Sequence, residues 1–313
     1  RRELQVHCYR ILGSLFDAED LVQETLLRAW RRLDTFEGRA SFRAWLYKIA
    51  TNACLDALER KRPRRWLPTA SHPPADPSQP FAPPADLGWL EPLPDDLVAE
   101  SDENPEARYG ARESVTLAFL TALQALPPRQ RAVVILCDVL DWKAGEAAEC
   151  LAMTVSAVNS ALHRARETLA GQYHGERRAA VKSATDSRTR DLLDRYVRAW
   201  ETADVNALVA LLREDAVFAM PPVPSWFKGR AAIRQALTAT PFNGDPGGRW
   251  RLVLTWANGQ PACAVYQRDD LAKDGVHRGM GVMVLTVAEA FIAESIFFMT
   301  PDLVQRFGLP TAL

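Results

Sequence analysis

Apolar residues recur at helical spacing at the start of the chain, over residues 1–62. The apolar positions of a first long helix are Leu21, Val22, Leu26, Ala29, Trp30 and Leu33. A second helix is predicted from about Ser41 to Arg62, and Pro63 ends it because proline lacks the backbone donor that a helix interior needs. This pattern predicts an all-helical first domain.

Proline replaces helical periodicity farther along, since 11 of the 21 prolines lie within residues 63–110. We interpret residues 66–110 as a linker that proline stiffens. Helices then resume, and those predicted at Glu146–Leu151 and Val155–Ala170 are joined by a tight turn. Two short helices with this connection are typical of a helix-turn-helix.

The pattern changes class after residue 188. Leu192, Tyr196, Val197 and Trp200 mark a helix, and Leu208, Leu211 and Leu212 mark a second one. Strict alternation of Trp250, Leu252, Leu254 and Trp256 then predicts a strand, and Asn258-Gly259 predicts a hairpin turn into another. A further pair of strands is predicted at about 277–287 and 291–299. Residues 188–313 therefore predict an α+β domain in which helices precede a curved antiparallel sheet.

Charge is segregated along the chain, although the net charge is only −1. Residues 1–65 hold 14 Lys and Arg against 9 Asp and Glu, a net charge of +5. Residues 66–110 hold one Arg against 9 acidic residues, a net charge of −8. Basic modules joined by an acidic tether indicate that the helical modules bind a polyanion that the tether would repel.

The five cysteines are scattered and odd in number, with no CxxC pair. They are Cys8, Cys54, Cys137, Cys150 and Cys263. This argues against a disulfide framework or a zinc site and favours a reducing cytoplasm. No apolar run is long enough to span a bilayer, so we expect no membrane association. Arg1 falls inside a predicted helix, and we expect a short N-terminal segment to precede it.

One segment of the first domain resembles a helix of a known protein family. It runs Asp17-Ala18-Glu19-Asp20-Leu21-Val22-Gln23-Glu24-Thr25 and continues as Leu27-Arg28-Ala29-Trp30. It is similar to the polymerase-binding helix of domain two in the extracytoplasmic-function (ECF) sigma factors of the sigma-70 family. The resemblance implies contacts with core RNA polymerase by Asp17, Asp20, Leu21, Gln23, Glu24 and Arg28. Three of the acids share one helix face, which would suit a basic partner surface. A solvated acidic face is the alternative.

Residues from Phe36 to Arg60 resemble the promoter-melting segment of the same family, which meets the −10 element. The resemblance implies −10 DNA contacts by Arg43, Trp45, Asn52, Asp56, Arg60 and Arg62. Arginine would neutralise the DNA backbone, and an aromatic surface would stack on unpaired bases. Trp45 fits a core position as well as a stacking platform.

Residues Leu126–Arg166 resemble sigma domain four, which reads the −35 element with a recognition helix in the major groove. The resemblance implies −35 contacts by Ser156, Ala157, Asn159, Ser160, His163 and Arg164. Asn pairs bidentately with adenine, and Arg pairs with guanine or phosphate. Phosphate contacts are expected from Arg129, Arg131 and Arg166. The resemblance of both domains implies two partners, which are core RNA polymerase, through its clamp and flap, and promoter DNA.

Residues 188–313 resemble the SnoaL-like branch of the nuclear transport factor 2-like fold, which includes polyketide cyclases and ketosteroid isomerases. Catalysis of that kind needs a carboxylate base and an acidic donor in an apolar pocket. The available groups are Asp204, Asp215, Tyr266, Asp269 and His277. Aromatic and apolar residues that either line a pocket or form core are Trp200, Met220, Trp226, Phe227, Trp250, Trp256, Tyr266 and Phe298. We expect regulation rather than catalysis, with no cofactor and no metal, and a small-molecule ligand stays open.

Trp89-Leu90-Glu91-Pro92 resembles a short motif between the sigma domains of ECF factors with C-terminal extensions. The resemblance implies that these residues dock the linker on the C-terminal domain, with a staple that only orders the linker as the alternative. We therefore expect a multidomain protein: sigma domain two at 1–65, the linker at 66–110, sigma domain four at 111–175 and a SnoaL-like regulatory domain at 188–313.

The expected function is promoter-specific transcription initiation, modulated by the C-terminal domain. Two alternatives are kept. One is a one-component helix-turn-helix regulator with a ligand-sensing domain, and the other is a SnoaL-type enzyme with a DNA-binding appendage.

Overall fold

The computed structural model describes residues 1–36, 38, 41–60, 65–85, 88–98, 114–173, 187–245, 247–269 and 274–313. The chain divides into two compact units. The first, here the helical unit, comprises Arg1–Trp66 and Asp95–Arg177, and the second, the cone unit, comprises Leu67–Pro94 and Arg178–Leu313. Within the described ranges, no helix is long and apolar enough to cross a membrane.

Three helices form the first part of the helical unit: α1 (Arg2–Leu12), α2 (Leu15–Arg31) and α3 (Phe42–Glu59). Ser14 caps α2 by accepting the backbone N–H of Asp17, and Ser41 caps α3 by accepting that of Ala44. The single turn Leu33–Thr35 follows α2. The predicted second helix is confirmed, although α3 ends at Glu59, before the expected limit at Arg62.

Four more helices complete the helical unit: α4 (Leu117–Ala125), α5 (Pro128–Val134), α6 (Ala144–Leu151) and α7 (Val155–Tyr173). Thr116 caps α4, and Pro128 opens α5, where a missing N–H costs nothing. A π-helical turn, Ile135–Val139, extends α5. The turn between α6 and α7 places Ala152 in the left-handed region (φ 51°). The predicted helix-turn-helix is confirmed.

The described part of the cone unit combines one six-stranded sheet with four helices that follow residue 186, and its first segment also holds the single helical turn Pro68–Ser71. The helices are α8 (Ser187–Glu201), α9 (Val205–Ala210), α10 (Arg230–Ala239) and α11 (Asp302–Arg306). The strands are β1 (Leu212–Ala219), β2 (Trp226–Lys228), β3 (Trp250–Ala257), β4 (Gln260–Arg268), β5 (His277–Ala288) and β6 (Phe291–Phe298). The sheet order is β2-β1-β6-β5-β4-β3, and only the β1–β6 pair is parallel. The expected α+β architecture is confirmed.

Strand β3 shows how the sequence pattern builds the sheet. Its Trp250 and Leu252 are buried on the face that packs against the helices, as alternation predicts, whereas Leu254 is exposed and Trp256 is half-buried. Asn258 and Gly259 take positive φ angles of 57° and 72°, so they form the tight hairpin into β4. Trp200 of α8 packs edge-on against Trp250 and Phe242 beneath this sheet.

Candidate nucleic-acid and partner interfaces

The exposed face of α2 carries part of the predicted partner surface. Asp20 and Gln23 are exposed, whereas Leu21 is largely buried in the helical unit. Asp17 is bonded to Arg65 at 2.7 Å between Nη2 and Oδ2, so its charge is already neutralised within the chain. The predicted acidic face therefore contributes less charge than the sequence indicates.

Glu24 and Arg28 form an ion pair on α2 at 2.7 Å between Oε1 and Nε. This hydrogen bond lowers the pKa of Glu24, which keeps its carboxylate ionised. Arg28 also reaches Asp56 of α3, at 3.4 Å between Nη1 and Oδ2. Both side chains thus brace α2 against α3 as well as facing outward.

An apolar stripe runs along the same side of α2. Most of its residues were not among those that the sequence predicted to bind a partner. Leu26, Leu27 and Trp30 are exposed, Trp30 to 74%, and Leu33 just after the helix is half exposed. At 100° per residue, Asp20, Gln23, Leu27 and Trp30 fall on one face. Trp30 is far more exposed than tryptophan side chains usually are in folded proteins, where they are highly buried on average. The combination of polar and aromatic groups is that of a protein-binding surface.

The start of α3 presents three aromatic rings. Trp45 packs on Phe36 at 5.2 Å and on Phe42 at 5.6 Å between ring centroids. Phe42 is exposed and Trp45 is half-buried, so the three rings form a partly exposed aromatic cluster. Arg43 beside it is exposed, pairs with Glu3 at 2.8 Å and lies over the Tyr47 ring. Aromatic faces beside a cation suit the stacking of unpaired bases.

The other predicted −10 residues lie farther along α3. Asn52 donates from Nδ2 to the Lys48 carbonyl at 2.9 Å and to the Cys150 carbonyl of α6 at 3.4 Å. Asp56 is held by Arg28, and Arg60 is exposed at the end of the helix. Arg62 lies outside the described residues. The amide of Asn52 is thus already engaged by α6.

Helix α7 presents the predicted −35 residues on one side. Ser156, Asn159, Ser160, His163 and Arg164 are all exposed. Ala157 is half-buried, and its N–H is capped by the Thr154 hydroxyl at 3.1 Å. The opposite face of the helix is apolar and buried, through Val158, Ala161 and Ala165. The structure therefore brings five of the six candidates together on one solvent-facing surface of a helix-turn-helix.

The predicted phosphate contact by Arg131 is wrong. Arg131 is only 1% exposed, and its guanidinium donates five hydrogen bonds within the protein. The acceptors are the carbonyls of Leu123, Gln124, Leu126 and Ile11 and the side-chain oxygen of Gln124. Since guanidinium has five N–H donors, none remains for DNA. Arg129 is exposed, and Arg166 is exposed but bound to Asp138 at 2.5 Å.

Residues 72–85 and 88–94, here called the strap, pack on the cone unit. Ala75 N–H donates to the Trp226 carbonyl at 2.7 Å, and the Trp226 indole donates to the His72 carbonyl at 2.8 Å. Ala85 N–H donates to the Pro222 carbonyl at 2.9 Å. Phe81 packs on Phe227 of β2, at 5.2 Å between ring centroids. The first half of the strap is thus fastened along β2 and the loop before it.

Asn258 fastens the other end of the strap. Its Oδ1 accepts the Leu93 N–H and its own N–H donates to the Leu93 carbonyl, both at 2.9 Å. Of the predicted docking residues, Trp89, Leu90 and Pro92 are buried and Glu91 is half-buried. The sequence marked Asn258 only as a turn residue, because no local signal shows that a turn amide will bond an extended segment 165 residues away.

A small cavity lies in the described core of the cone unit. It measures about 10 Å³ and is lined by residues that include Tyr196, Trp200, Phe218 and Ser295. Such a volume holds no more than one water. Of the predicted pocket residues, Trp200, Met220, Phe227 and Trp250 belong to the buried core.

Most of the candidate catalytic groups of the cone unit are engaged in structural contacts. Asp204 caps α9 through the Ala207 N–H at 2.9 Å. Asp215 is exposed beside Arg213, whose hydrogen bond lowers the pKa of that carboxyl and makes it a weaker base. Tyr266 donates to the Pro310 carbonyl at 2.9 Å, in a small apolar cluster apart from the main core. His277 bonds the Gly248 carbonyl at 3.0 Å.

Three protein families match successive parts of the chain. "Sigma-70 region 2" matches residues 1–64, "Sigma-70, region 4" matches residues 116–169, and "SnoaL-like domain" matches residues 193–295. The first covers α1–α3, the second covers α4 to most of α7, and the third covers the cone unit from α8 into β6.

Similar proteins extend these matches. The chain is 47% identical over 315 residues to the ECF RNA polymerase sigma factor SigG of Mycobacterium tuberculosis (strain ATCC 25618 / H37Rv), covering 100% of this chain and 82% of SigG. It is 30% identical over 167 residues to the ECF RNA polymerase sigma factor SigW of Bacillus subtilis (strain 168), covering 53% and 80%. The crystal structure of M. tuberculosis SigJ, another ECF sigma factor, aligns with a TM-score of 0.60 at 23% identity, covering 99% and 97%. At that identity the likeness shows the fold.

Proposed function

The chain belongs to the ECF RNA polymerase sigma factors and directs promoter-specific transcription initiation, and we propose that three of its surfaces divide this work. The exposed face of α2 binds core polymerase, the aromatic start of α3 meets the −10 element, and the outer face of α7 reads the −35 element. The protein would act in the cytoplasm, where RNA polymerase transcribes the chromosome.

One observation carries the DNA-reading role. Helix α7 exposes Asn159, His163 and Arg164 together, while its apolar back face packs into the helix-turn-helix. Asn and Arg are the side chains that make bidentate contacts with adenine and guanine in the major groove. An exposed Asn on a docked recognition helix has geometry for base readout rather than for core packing.

The exposed aromatic on α2 favours a sigma factor over a one-component regulator. A regulator that never touches polymerase has no use for Trp30 and Leu27 in solvent, whereas a polymerase-binding helix does. An enzymatic role for the cone unit has less support, because Asp204 caps a helix, Asp215 is exposed beside Arg213, and the core cavity of about 10 Å³ is far smaller than a ligand pocket. We propose that the cone unit acts without catalysis.

Trp30→Ala should weaken binding to core polymerase about tenfold, because exposed tryptophans dominate the energetics of protein interfaces. The free energy of unfolding should change by no more than about 0.5 kcal/mol, since the side chain is exposed. Fluorescence anisotropy of the labelled chain titrated with core enzyme measures the affinity. Phe291→Ala, an exposed aromatic of the cone unit, is the control, and equal affinities for the two variants would exclude α2 as the contact.

We also propose that the cone unit modulates initiation by holding the strap. The strap lies between the two sigma domains in the sequence: residues 66–71 lead to it from the first, and residues 95–110 lead from its end to the second. Residues Leu67–Pro94 group with the cone unit, and the strap among them docks on β2 and Asn258. Docking therefore shortens, by 28 residues, the linker that is free to extend between the two DNA-binding modules. Fastening or releasing the strap changes the freedom with which those modules separate.

Asn258→Gly tests this role, because glycine keeps the left-handed turn and removes only the side-chain acceptor. The matched control is Asn258→Asp, which retains an oxygen for the Leu93 N–H. We expect Asn258→Gly to change transcript yield in vitro severalfold relative to Asn258→Asp, in the same direction as deletion of residues 188–313. Equal yields from both substitutions and from the deletion would contradict modulation by the cone unit.

A further inference from the structure

A charged pair ties helix α7 to the end of α5. Asp138 lies in the π-helical turn that extends α5, and Arg166 lies in the second half of α7. The Arg166 guanidinium donates from Nη2 to Oδ1 of Asp138 at 2.5 Å and from Nε to Oδ2 at 3.1 Å. One guanidinium thus engages both carboxylate oxygens, and this bidentate geometry fixes the orientation of the two side chains as well as their distance.

The π-helical turn brings Asp138 out of the buried face of α5. Within this turn the Leu140 N–H donates to the Ile135 carbonyl at 3.0 Å, one residue farther back than an α-helical bond reaches. At α-helical spacing, residue 138 would follow Val134, which is buried. In the wider turn the Asp138 side chain is 29% exposed and meets α7. Turns of this kind recur at functional sites.

Arg166 lies in line with the proposed base-reading residues of α7. At 100° per residue, it falls within about 20° of Asn159 around the helix axis, two turns farther along. A cation at this position can serve either a DNA phosphate or a carboxylate of the same chain. The structure directs the Nε and Nη2 groups of Arg166 at Asp138, which assigns the cation to the carboxylate.

The apolar packing of α7 defines the rotation of the helix weakly. Its back face buries Val158, Ala161 and Ala165, and the two alanines each present only a methyl group to their neighbours. A rotation of about 10° about the helix axis moves side-chain tips at a radius of about 5–6 Å by roughly 1 Å. Hydrogen bonds to base edges lose their geometry over such a distance. A directional contact beside the reading face therefore matters for the orientation of α7.

We propose that Asp138 is a positioning residue for −35 readout, because its pair with Arg166 sets the rotation of α7 in the major groove. The reading side chains on the exposed face of α7 then meet the base edges in one register. The inference rests on the proposed reading of −35 bases by α7. Arg166 accordingly contributes orientation rather than the phosphate contact that the sequence predicts.

Two substitutions break the pair in different ways, and a third is the control. Asp138→Asn removes the carboxylate charge, whereas Arg166→Lys keeps the cation and loses the planar fork. Asp141→Asn changes the net charge of the chain as Asp138→Asn does, on an exposed side chain three residues away. Asp141 has a positive φ of 56°, which asparagine tolerates. Because all three side chains reach solvent, we expect the circular dichroism spectrum of each variant to match that of the parent chain.

The measurement is transcription by core polymerase with each full-length chain, from templates that carry a randomised −35 element, followed by sequencing of the RNA. In Asp138→Asn and in Arg166→Lys, the ratio of transcripts from the best base to those from the next best base should fall about threefold to tenfold. The fall should extend over adjacent −35 positions, because rotation of α7 displaces the whole reading face. Asp141→Asn should retain the preference of the parent chain.

A parent-like −35 preference in both Asp138→Asn and Arg166→Lys would overturn the positioning role and leave the proposed reading by α7 intact. Greater output from Asp138→Asn with unchanged preference would overturn it as well, because Arg166 would then be a phosphate contact that the carboxylate masks. An equal loss of preference in Asp141→Asn would show a general effect of charge and would also contradict the role of the pair. Absence of any −35 preference in the parent chain would overturn the proposed reading by α7, and the positioning role with it.

Discussion

Asn159→Ala is expected to reduce transcription from the preferred promoters about tenfold to a hundredfold. Asn159 stands exposed in the middle of the proposed reading face of α7, and a bidentate Asn–adenine pair contributes about 1–3 kcal/mol of discrimination. The variant should also lose its preference at one −35 position. The measurement is transcription by core polymerase from a library with randomised −10 and −35 elements, followed by sequencing of the RNA.

Arg129→Ala provides the contrast for this result. Arg129 is exposed at the start of α5, where a phosphate contact is proposed. Its loss should lower output evenly across the library and weaken the salt dependence, because a phosphate contact carries affinity without sequence information. If Asn159→Ala leaves the preferred −35 sequence unchanged, α7 does not read the bases through this residue.

Arg131→Met should destabilise the helical unit by about 3–5 kcal/mol, because it strips the donors from five buried acceptors. The loss should be seen as a lower urea midpoint for the helical signal in circular dichroism. Arg129→Met, two residues away and exposed, should change the free energy of unfolding by no more than about 0.5 kcal/mol. Equal midpoints for the two variants would show that the Arg131 network contributes little.

Local signals predicted most helices and four of the six strands. Ser14, Ser41 and Thr116 accept the capping bonds that their residue types favour, and Asn258-Gly259 forms the hairpin. Strand β1 was missed because Arg213, Glu214 and Asp215 interrupt its alternation. It also pairs in parallel with β6, so no hairpin turn announces it.

The candidate surfaces were predicted better than the partners of individual side chains. Exposed and buried faces of α7 follow from helical periodicity, and the −35 residues other than Ala157 lie where expected. Arg131 was misassigned because an arginine among other basic residues suggests DNA contact. Its hydrogen-bond acceptors instead come from α4 and α1, which are distant from its local sequence pattern. Leu21 was misassigned for a similar reason, since the motif does not distinguish its inner face from its outer face.

The packing of the proline-rich segment could not be predicted from its sequence pattern. Residues 66–110 lack periodicity, and the sequence predicts a linker with one docking motif. In the structure, Leu67–Pro94 group with the cone unit, and Leu90 and Leu93 are fully buried. Extended proline-rich chain packs through single side chains and scattered backbone bonds, which leave no repeating signal in the sequence.

The most direct test of the central claim is transcription in vitro with purified core polymerase, the full-length chain and the randomised promoter library. A sigma factor predicts chain-dependent transcripts whose templates share one −35 and one −10 sequence at a fixed spacing. Absence of transcripts, together with absence of core binding in the anisotropy titration, would contradict the claim.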